Sequence, residues 1–295
     1  MNTFENYPEI FTQWLSRLGY AETTTISYQQ RLESFILWLK TQHIQNLDEI
    51  KQPHFEAFKT HLEKRTNINK KSGGLSLSYI QSHINTIKLF SRYLQLTEGK
   101  PILTTEIKVN GQKTNQTIVL TKPEIKQMYE STDNSPSGYR DRAILAIFYA
   151  CGLRSGEGLR LEPNHIHYGK GLLYVAPGKN NRSRFVPMNE TTMQHLKEYE
   201  TYSRSLNVTV NKTFFLNTRG NAITANCINN RIKYLADKST INKRVYVHLL
   251  RHSIATHLLQ EGMEIESISQ FLGHSTLEAT QIYAHLAAET PTETV

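Results

Sequence analysis

A polar stretch without regular periodicity divides this 295-residue chain into two parts. Residues 99–117, GKPILTTEIKVNGQKTNQT, follow neither a helical nor a strand pattern, as is typical of a linker between domains. The residues before it carry apolar side chains at helical spacing, whereas those after it mix helical and strand-like segments. We therefore predict a helical domain over residues 1–100, a linker over 101–117 and a mixed domain over 118–295.

The first domain is predicted to contain four helices. Two segments place apolar residues three and four positions apart, which is the spacing of one helix face. The weaker candidates are residues 10–18, where Gly19 ends the helix, and residues 55–62. The apolar positions of the two stronger helices are Leu32, Phe35, Ile36 and Leu39, then Ile80, Ile84, Ile87, Phe90 and Leu94.

The second domain is predicted to begin and end with helices. Thr121 and Glu124 form a capping box at the start of one helix. Residues 140–151 form another, which ends at Gly152. Further helix signals after residue 247 are the apolar residues Ile265, Ile268 and Leu272, the closing Gly273, and a second capping box at Ser275 and Glu278.

Between these helices the pattern predicts strands. Leu172–Ala176 and Arg184–Val186 flank a basic turn, which indicates a β-hairpin. Residues 213–216 are a further candidate strand. The predicted fold class is therefore mainly α with a small antiparallel β-sheet.

The charge of the chain favours a polyanionic partner. It has 34 Lys and Arg against 26 Asp and Glu, which gives a net charge of +8 and a pI near 9.3. Nucleic acid is the commonest partner of such a chain. Residues 1–118 carry 14 basic and 10 acidic groups and residues 119–295 carry 20 and 16, so each part has a charge of +4. This equal division fits a clamp in which both domains contact DNA.

Several classes of protein do not fit the sequence. The longest apolar run, residues 143–153, is shorter than the roughly 20 residues needed to span a bilayer. The N-terminus lacks the basic start and apolar core of a signal peptide. The only cysteines, Cys151 and Cys227, are too far apart in sequence for a zinc or disulfide motif. We predict a cytoplasmic protein with no membrane partner.

Two short motifs place charged side chains on one helix face. His248 and Arg251 are three residues apart, and His248 and His252 are four apart. A metalloprotease helix would need a glutamate at position 249, where this chain has leucine, so zinc is disfavoured. Arg154 and Glu157 are also three apart, and a carboxylate can orient a guanidinium to bind phosphate. The alternatives are polar groups that face water and a surface ion pair.

Three further residues could carry chemistry. Lys179 lies in the basic turn of the predicted hairpin, where a lysine can enter a DNA groove or donate a proton. His274 follows Gly273, and Tyr283 lies nine residues after His274. A tyrosine hydroxyl becomes a nucleophile only beside a base and positive charge. Taken singly, a solvated turn and a packing tyrosine are the commoner explanations.

In this order and spacing, these motifs resemble the active-site set of the tyrosine recombinase, or phage integrase, family. GLRSGE resembles its first arginine motif, YVAPGKNNRSRFVPM its β-hairpin lysine motif, and the segment from His248 to Leu286 the C-terminal box of Xer-like members. Ser155 and Gly158 stand where the family usually has bulkier apolar residues. In the N-terminal half the resemblance rests on the helical pattern alone.

The resemblance implies an enzyme that cuts and rejoins DNA without a metal or other cofactor. Residues 1–100 would be a SAM-like core-binding domain and residues 118–295 the catalytic domain. Tyr283 would be the nucleophile that forms a 3′-phosphotyrosyl link. The implied supporting roles are Arg154, Arg251 and His274 on the phosphate, His248 on the tyrosine proton, Lys179 on the departing 5′-oxygen and Glu157 as an orienting group. Predicted DNA contacts are Arg182, Arg184, Lys243 and Arg244.

The implied partners are double-stranded DNA core sites and further recombinase protomers. Family members act as tetramers on two duplexes, so we expect a homotetramer, or a heterotetramer with a related recombinase, with accessory DNA-bending proteins as candidate partners. Integration or excision of a mobile element and Xer-type dimer resolution both remain open. The competing functions are type IB topoisomerase-like DNA relaxation and non-catalytic DNA binding by the same fold.

Overall fold

The computed structural model describes residues 4–66, 74–103, 107, 118–178, 183–206 and 211–273. The protein is mostly helical, with a three-stranded antiparallel sheet, as the sequence predicts. It divides into two compact units, Met1–Thr114 and Asn115–Val295. Within the described ranges, no helix has both the length and the apolarity that crossing a bilayer requires.

The first unit contains the four predicted helices. A 3-10 turn, Leu47–Glu49, precedes the third of them. The helices pack around an aromatic-rich core in which Phe11, Phe35 and Phe58 are fully buried. Gly19 has a φ of +82° at the predicted end of the first helix. The helices are α1 (Tyr7–Arg17), α2 (Glu22–Thr41), α3 (Gln52–Lys64) and α4 (Leu77–Glu98).

Part of the predicted linker packs against this first core. Ile107 is buried among the apolar residues of the unit, and Ile102 and Leu103 lie against them. The amide of Leu103 also donates a hydrogen bond to the hydroxyl of Ser91, at 2.9 Å. Apolar residues in this stretch therefore extend the helical unit beyond residue 100, although they show no periodicity in the sequence.

The second unit contains seven helices among its described residues. The predicted capping box is confirmed, because the Thr121 hydroxyl accepts from the amide of Glu124 and the Glu124 carboxylate accepts from the amide of Thr121. Sequence analysis did not predict α8 and α9. The helices are α5 (Lys122–Glu130), α6 (Pro136–Leu145), α7 (Ser155–Leu159), α8 (Glu190–Tyr202), α9 (Ala225–Lys238), α10 (Val247–Gln260) and α11 (Ile265–Leu272).

The end of the predicted helix over residues 140–151 takes an unusual form. Residues Ala146–Ala150 continue α6 as a short π-helix, a feature that is frequent at functional sites. The chain then turns at Gly152, where φ is +61°. A Cβ atom at Gly152 would lie 2.9 Å from Cδ2 of Leu272. Glycine therefore permits both the turn and the close approach of α11 to the segment before Arg154.

The sheet consists of β1 (Ile166–His167), β2 (Leu172–Val175) and β3 (Arg184–Pro187). Their order is β1-β2-β3, and Val175 pairs with Arg184 next to the turn of the predicted hairpin. Strand β1 was not predicted. The prediction of a strand over residues 213–216 was wrong, because only Leu216 forms an isolated bridge, with Ala222. Consecutive burial of residues 214–216 in the core replaces the alternation of a strand.

A candidate active site around Glu157

Arg154 and Glu157 are joined at the start of α7. Arg154 is the N-cap residue of this helix. Its amide donates to Oε2 of Glu157 at 2.8 Å, and its Nη1 donates to Oε1 at 3.0 Å. The predicted pairing of these two residues is therefore present, and the same carboxylate caps the helix and orients the guanidinium.

Arg184 reaches the same carboxylate from the sheet. Its Nη1 and Nη2 donate to the two oxygens of Glu157, both at 3.0 Å, and its Nε donates to the carbonyl of Phe271 at 2.9 Å. The side chain is 9% exposed and its donors are bound within the protein, so Arg184 is not placed as the predicted DNA contact. Strand periodicity could have shown this, because Arg184 lies on the same face of β3 as buried Val186.

Arg251 reaches the same region from α10. Its Nη1 donates to the carbonyl of Gly152 at 2.6 Å, and its Nη2 donates to the carbonyl of Leu272 at 2.8 Å. The same Nη1 lies 3.8 Å from Oε2 of Glu157. We call Arg154, Arg184 and Arg251, together with Glu157, the arginine cluster.

The arginine cluster holds the C-terminal end of α11. The carbonyl of Gly273 accepts from Nη2 of Arg154 at 2.9 Å, beside the two carbonyls that Arg184 and Arg251 engage. Cations at a helix C-terminus also interact favourably with the helix dipole. Gly273 has a φ of +66°, and a Cβ atom there would lie 2.6 Å from Nη1 of Arg184. The chain therefore leaves α11 at a position that three arginines define.

The arginine cluster carries more positive than negative charge, since one carboxylate faces three guanidinium groups. Burial of Glu157 disfavours its ionisation, but the hydrogen bonds and charges of Arg184 and Arg154 outweigh burial and lower its pKa to about 2. The side chain of Arg154 is 31% exposed, whereas that of Arg251 is 3% exposed. The cluster thus presents its positive charge to the surface mainly through Arg154.

Substitution of Glu157 by glutamine should destabilise the second unit strongly. It would leave buried guanidinium groups without their counter-charge, which typically costs about 3–5 kcal/mol. Because the folded pKa lies below the unfolded value of 4.5, the stabilisation by Glu157 is complete above about pH 5 and is lost as the pH falls towards 2. Calorimetry should therefore show that the wild type and Glu157→Gln differ less in their free energy of unfolding at pH 4 than at pH 7. Substitution of the exposed Glu130 by glutamine is the control. Equal losses in the free energy of unfolding for the two substitutions would contradict the prediction.

His248 lies beside the arginine cluster, near the surface. Partial desolvation, followed by the charges of Arg251 and Arg154, lowers the pKa of His248 below 6.5. The imidazole is therefore neutral at pH 7 and able to accept a proton. His252, one turn along α10, also has a lowered pKa, and burial is the main cause. Within the described ranges, no group of three potential metal ligands comes together.

Of the remaining predicted site residues, two lie in the described part of the chain and four do not. Lys243 donates to the carboxylate of Glu124 at 2.7 Å and to the carbonyl of Val119 at 3.0 Å. It therefore stabilises the start of α5, and the structure does not place it as the predicted DNA contact. Arg244 is exposed and stays a candidate DNA contact. Lys179, Arg182, His274 and Tyr283 lie outside the described residues.

Gly158 has a packing role that sequence analysis did not identify. A Cβ atom at this position would lie 2.4 Å from the ring of Phe148. The ring of this π-helix residue is fully buried and occupies the space that a larger side chain at position 158 would need. The small residue after the Arg154 motif is therefore matched by an aromatic residue on the neighbouring helix.

Comparison with known proteins points in one direction. The family model described as "Phage integrase family" matches residues 118–290. Tyrosine recombinase XerD of Staphylococcus haemolyticus (strain JCSC1435) is 31% identical over 275 residues, which cover 91% of this chain and 90% of the relative. Tyrosine recombinase XerC of Bacillus subtilis (strain 168) is 28% identical over 298 residues, which cover 98% and 94%.

A solved structure extends the similarity to the fold of both units. The Tn1549 transposon integrase in complex with transposon right end DNA has a TM-score of 0.75 to this chain, with 96% of each chain covered. The sequence identity is 17%, so this similarity concerns the fold alone.

Proposed function

This chain belongs to the phage integrase family as a tyrosine recombinase of the Xer type, and from that premise we propose how its residues cut and rejoin DNA. It is a site-specific DNA recombinase. Its relatives are named recombinases, so neither DNA relaxation of the topoisomerase type nor non-catalytic binding is favoured.

The partner of this recombinase is DNA, which solved neighbours of the same fold bind. The finer proposal is that both units contact double-stranded core sites, with residues 1–100 as core-binding domain and residues 118–295 as catalytic domain. The charge of +4 in each part supports such a clamp, because basic residues on both sides can neutralise phosphates.

The proposed cleavage step is a transesterification at one DNA phosphate. The hydroxyl oxygen of Tyr283 attacks phosphorus, and the bond from phosphorus to the 5′-oxygen breaks. The products are a 3′-phosphotyrosyl link and a free 5′-hydroxyl. The tyrosine proton passes to His248, and Lys179 supplies a proton to the departing oxygen. A second 5′-hydroxyl reverses the step on a new strand, so the phosphodiester bond is conserved without ATP.

The observation that carries this proposal is the orientation of Arg154. Its guanidinium is fixed by Glu157 and Gly273 and yet is partly exposed. A fixed guanidinium presents forked donors and a permanent charge, which suit the negative charge that develops on the non-bridging phosphate oxygens. Arg251 adds a second positive charge close behind it, and His274 is proposed to add a hydrogen bond.

His248 suits the role of proton acceptor. Because its pKa is lowered by desolvation and by neighbouring guanidinium groups, the neutral form dominates at the pH at which a base is needed. A protonated imidazole would repel the arginine cluster and could not take the tyrosine proton. The same charges that stabilise the phosphate therefore keep the proposed base available.

The proposed assembly is a tetramer on two duplexes, in the cytoplasm. The homotetramer and the heterotetramer with a related recombinase are both compatible with the proposed chemistry, and accessory DNA-bending proteins would assist synapsis. Mobile-element integration or excision and dimer resolution would use the same strand-transfer chemistry. They differ in where the two core sites lie.

Strand exchange between two sites is the test of the proposed function. A core site is first recovered from a nicked, randomised duplex library by capture of SDS-resistant adducts. On a supercoiled plasmid with two such sites, we expect the wild-type protein to form recombinant products. It would do so either alone, as a homotetramer, or after addition of a related recombinase. Relaxation of the plasmid without recombinant products would favour the topoisomerase alternative. Binding without adducts or products would favour the non-catalytic one.

A further inference from the structure

Arg184 connects three parts of the catalytic unit through one side chain. Its backbone belongs to β3 and pairs with Val175 at the turn end of the β2–β3 hairpin. Its guanidinium holds Glu157 of α7 through two parallel hydrogen bonds, and its Nε holds the carbonyl of Phe271 in α11. A shift of the hairpin would therefore also shift Glu157 and the end of α11.

The geometry around Arg184 leaves little freedom. The side chain is 9% exposed, and the side chain of Glu157 is 3% exposed. The chain passes so close at Gly273 that a Cβ atom there would lie 2.9 Å from Cζ of Arg184. Tight packing on several sides keeps the guanidinium in one orientation. The contacts of Arg184 are thus a rigid connection between elements.

The connection requires an arginine. Two parallel donors match the two oxygens of a carboxylate, and Nε provides a third donor in the same plane. A lysine would keep the charge but could offer only a point charge on a flexible stem. The chemistry of the contacts therefore separates the geometric contribution of Arg184 from its electrostatic one.

We propose that Arg184 is a positioning residue for strand cleavage, which couples the hairpin that carries Lys179 in its turn to Arg154 and to the chain that follows Gly273. This inference rests on the proposed function, because Lys179 and His274 are the groups that it would place. Arg184 itself touches neither DNA nor the reacting atoms. It acts through Glu157, which orients Arg154, and through the end of α11.

The expected effect is a loss of cleavage rate in complexes that bind DNA normally. Displacement of groups that support a reacting site typically costs about tenfold to a hundredfold in rate. Arg184 is buried and ion-paired, so its replacement by lysine should leave DNA affinity unchanged. If Arg184 instead contacted a phosphate, its replacement by lysine would weaken binding, because lysine keeps the charge but lacks the forked donors.

The test compares Arg184→Lys with Arg160→Lys, an exposed arginine at the C-cap of α7. Single-turnover cleavage of a nicked core-site duplex is measured at saturating protein, together with the dissociation constant at several salt concentrations. We expect Arg184→Lys to lower the rate constant about tenfold to a hundredfold, with unchanged affinity. Arg160→Lys should match the wild type. In a Glu157→Gln background, the further loss from Arg184→Lys should be much smaller, because both substitutions break one connection.

Each contrary result overturns the inference in a recognisable way. Reduced affinity with an unchanged rate constant would make Arg184 a DNA contact. A smaller amount of active protein with an unchanged rate constant would make its role only structural, since the rate constant counts folded complexes alone. If the losses in cleavage rate caused by Arg184→Lys and Glu157→Gln are additive, the two residues do not act through one connection. If the wild type forms no adduct at all, the proposed function fails as well, and that result is visible before any Arg184 variant is compared.

Discussion

Replacement of Tyr283 by phenylalanine should abolish the covalent protein–DNA adduct and leave DNA affinity unchanged. The substitution removes one oxygen atom and keeps the aromatic ring, so packing and charge are nearly preserved. The proposed intermediate is an ester of that oxygen, and no adduct can form without it. This is the largest effect that we expect of any single substitution in the chain.

The measurement is the fraction of a nicked core-site duplex that remains attached to protein after denaturation in SDS. The nick lets the short 5′-hydroxyl fragment diffuse away, so the reverse reaction is suppressed and the adduct accumulates. Binding is measured separately by a mobility shift. We expect wild-type adducts to accumulate with time and Tyr283→Phe to give none at equal occupancy of the DNA.

The matched control is Tyr246→Phe, because Tyr246 is an exposed tyrosine at the N-cap of α10, two residues before His248. It should form adducts at the wild-type level. Adducts with Tyr283→Phe, or their loss only with Tyr246→Phe, would show that another tyrosine is the nucleophile. Loss of adducts in both variants would contradict the assignment, because the loss would then not be specific to Tyr283.

Sequence reasoning succeeded where the signal is local. The capping box of α5, the turn at Gly152 and the pair formed by Arg154 and Glu157 each depend on residues within one helical turn. The β2–β3 hairpin follows from alternation on both sides of a basic turn. Sequence analysis missed α9 although its signal is local, since Ile228, Ile232 and Leu235 are buried at helical spacing.

The parts that sequence reasoning missed depend on contacts between distant residues. Glu157 and Arg184 are 27 positions apart, and the end of α11 is another 87 positions along the chain from Arg184. In the sequence, Arg184 directly follows a basic turn, which favours an exposed DNA contact. Only the burial of this face of β3 shows that the Arg184 side chain is nearly buried. The π-helix also has no local signal. Its residues pack against α10, and the ring of Phe148 lies against Gly158.

Substitution of Arg154 by alanine should slow strand cleavage by about a thousandfold and weaken DNA binding only slightly. Removal of a preorganised donor from a developing oxyanion costs about 10²–10³ in rate, and an arginine on a phosphoryl group is worth still more. Arg154 is the most exposed of the three arginines around Glu157. It is therefore the group best placed to reach a phosphate, whereas binding spreads over many phosphate contacts.

Two variants test whether this loss belongs to the transition state. Arg154→Lys keeps a positive charge but not the planar fork that Glu157 and Gly273 orient, so cleavage should recover only in part. Arg160→Ala, which removes an exposed arginine six residues further on, should cleave at the wild-type rate. Rate constants are taken from single-turnover reactions at saturating protein, so that a change in stability cannot imitate a change in chemistry. Equal losses of affinity and of rate in Arg154→Ala would instead make Arg154 a DNA clamp, because only an interaction that strengthens in the transition state lowers the rate of a complex already formed.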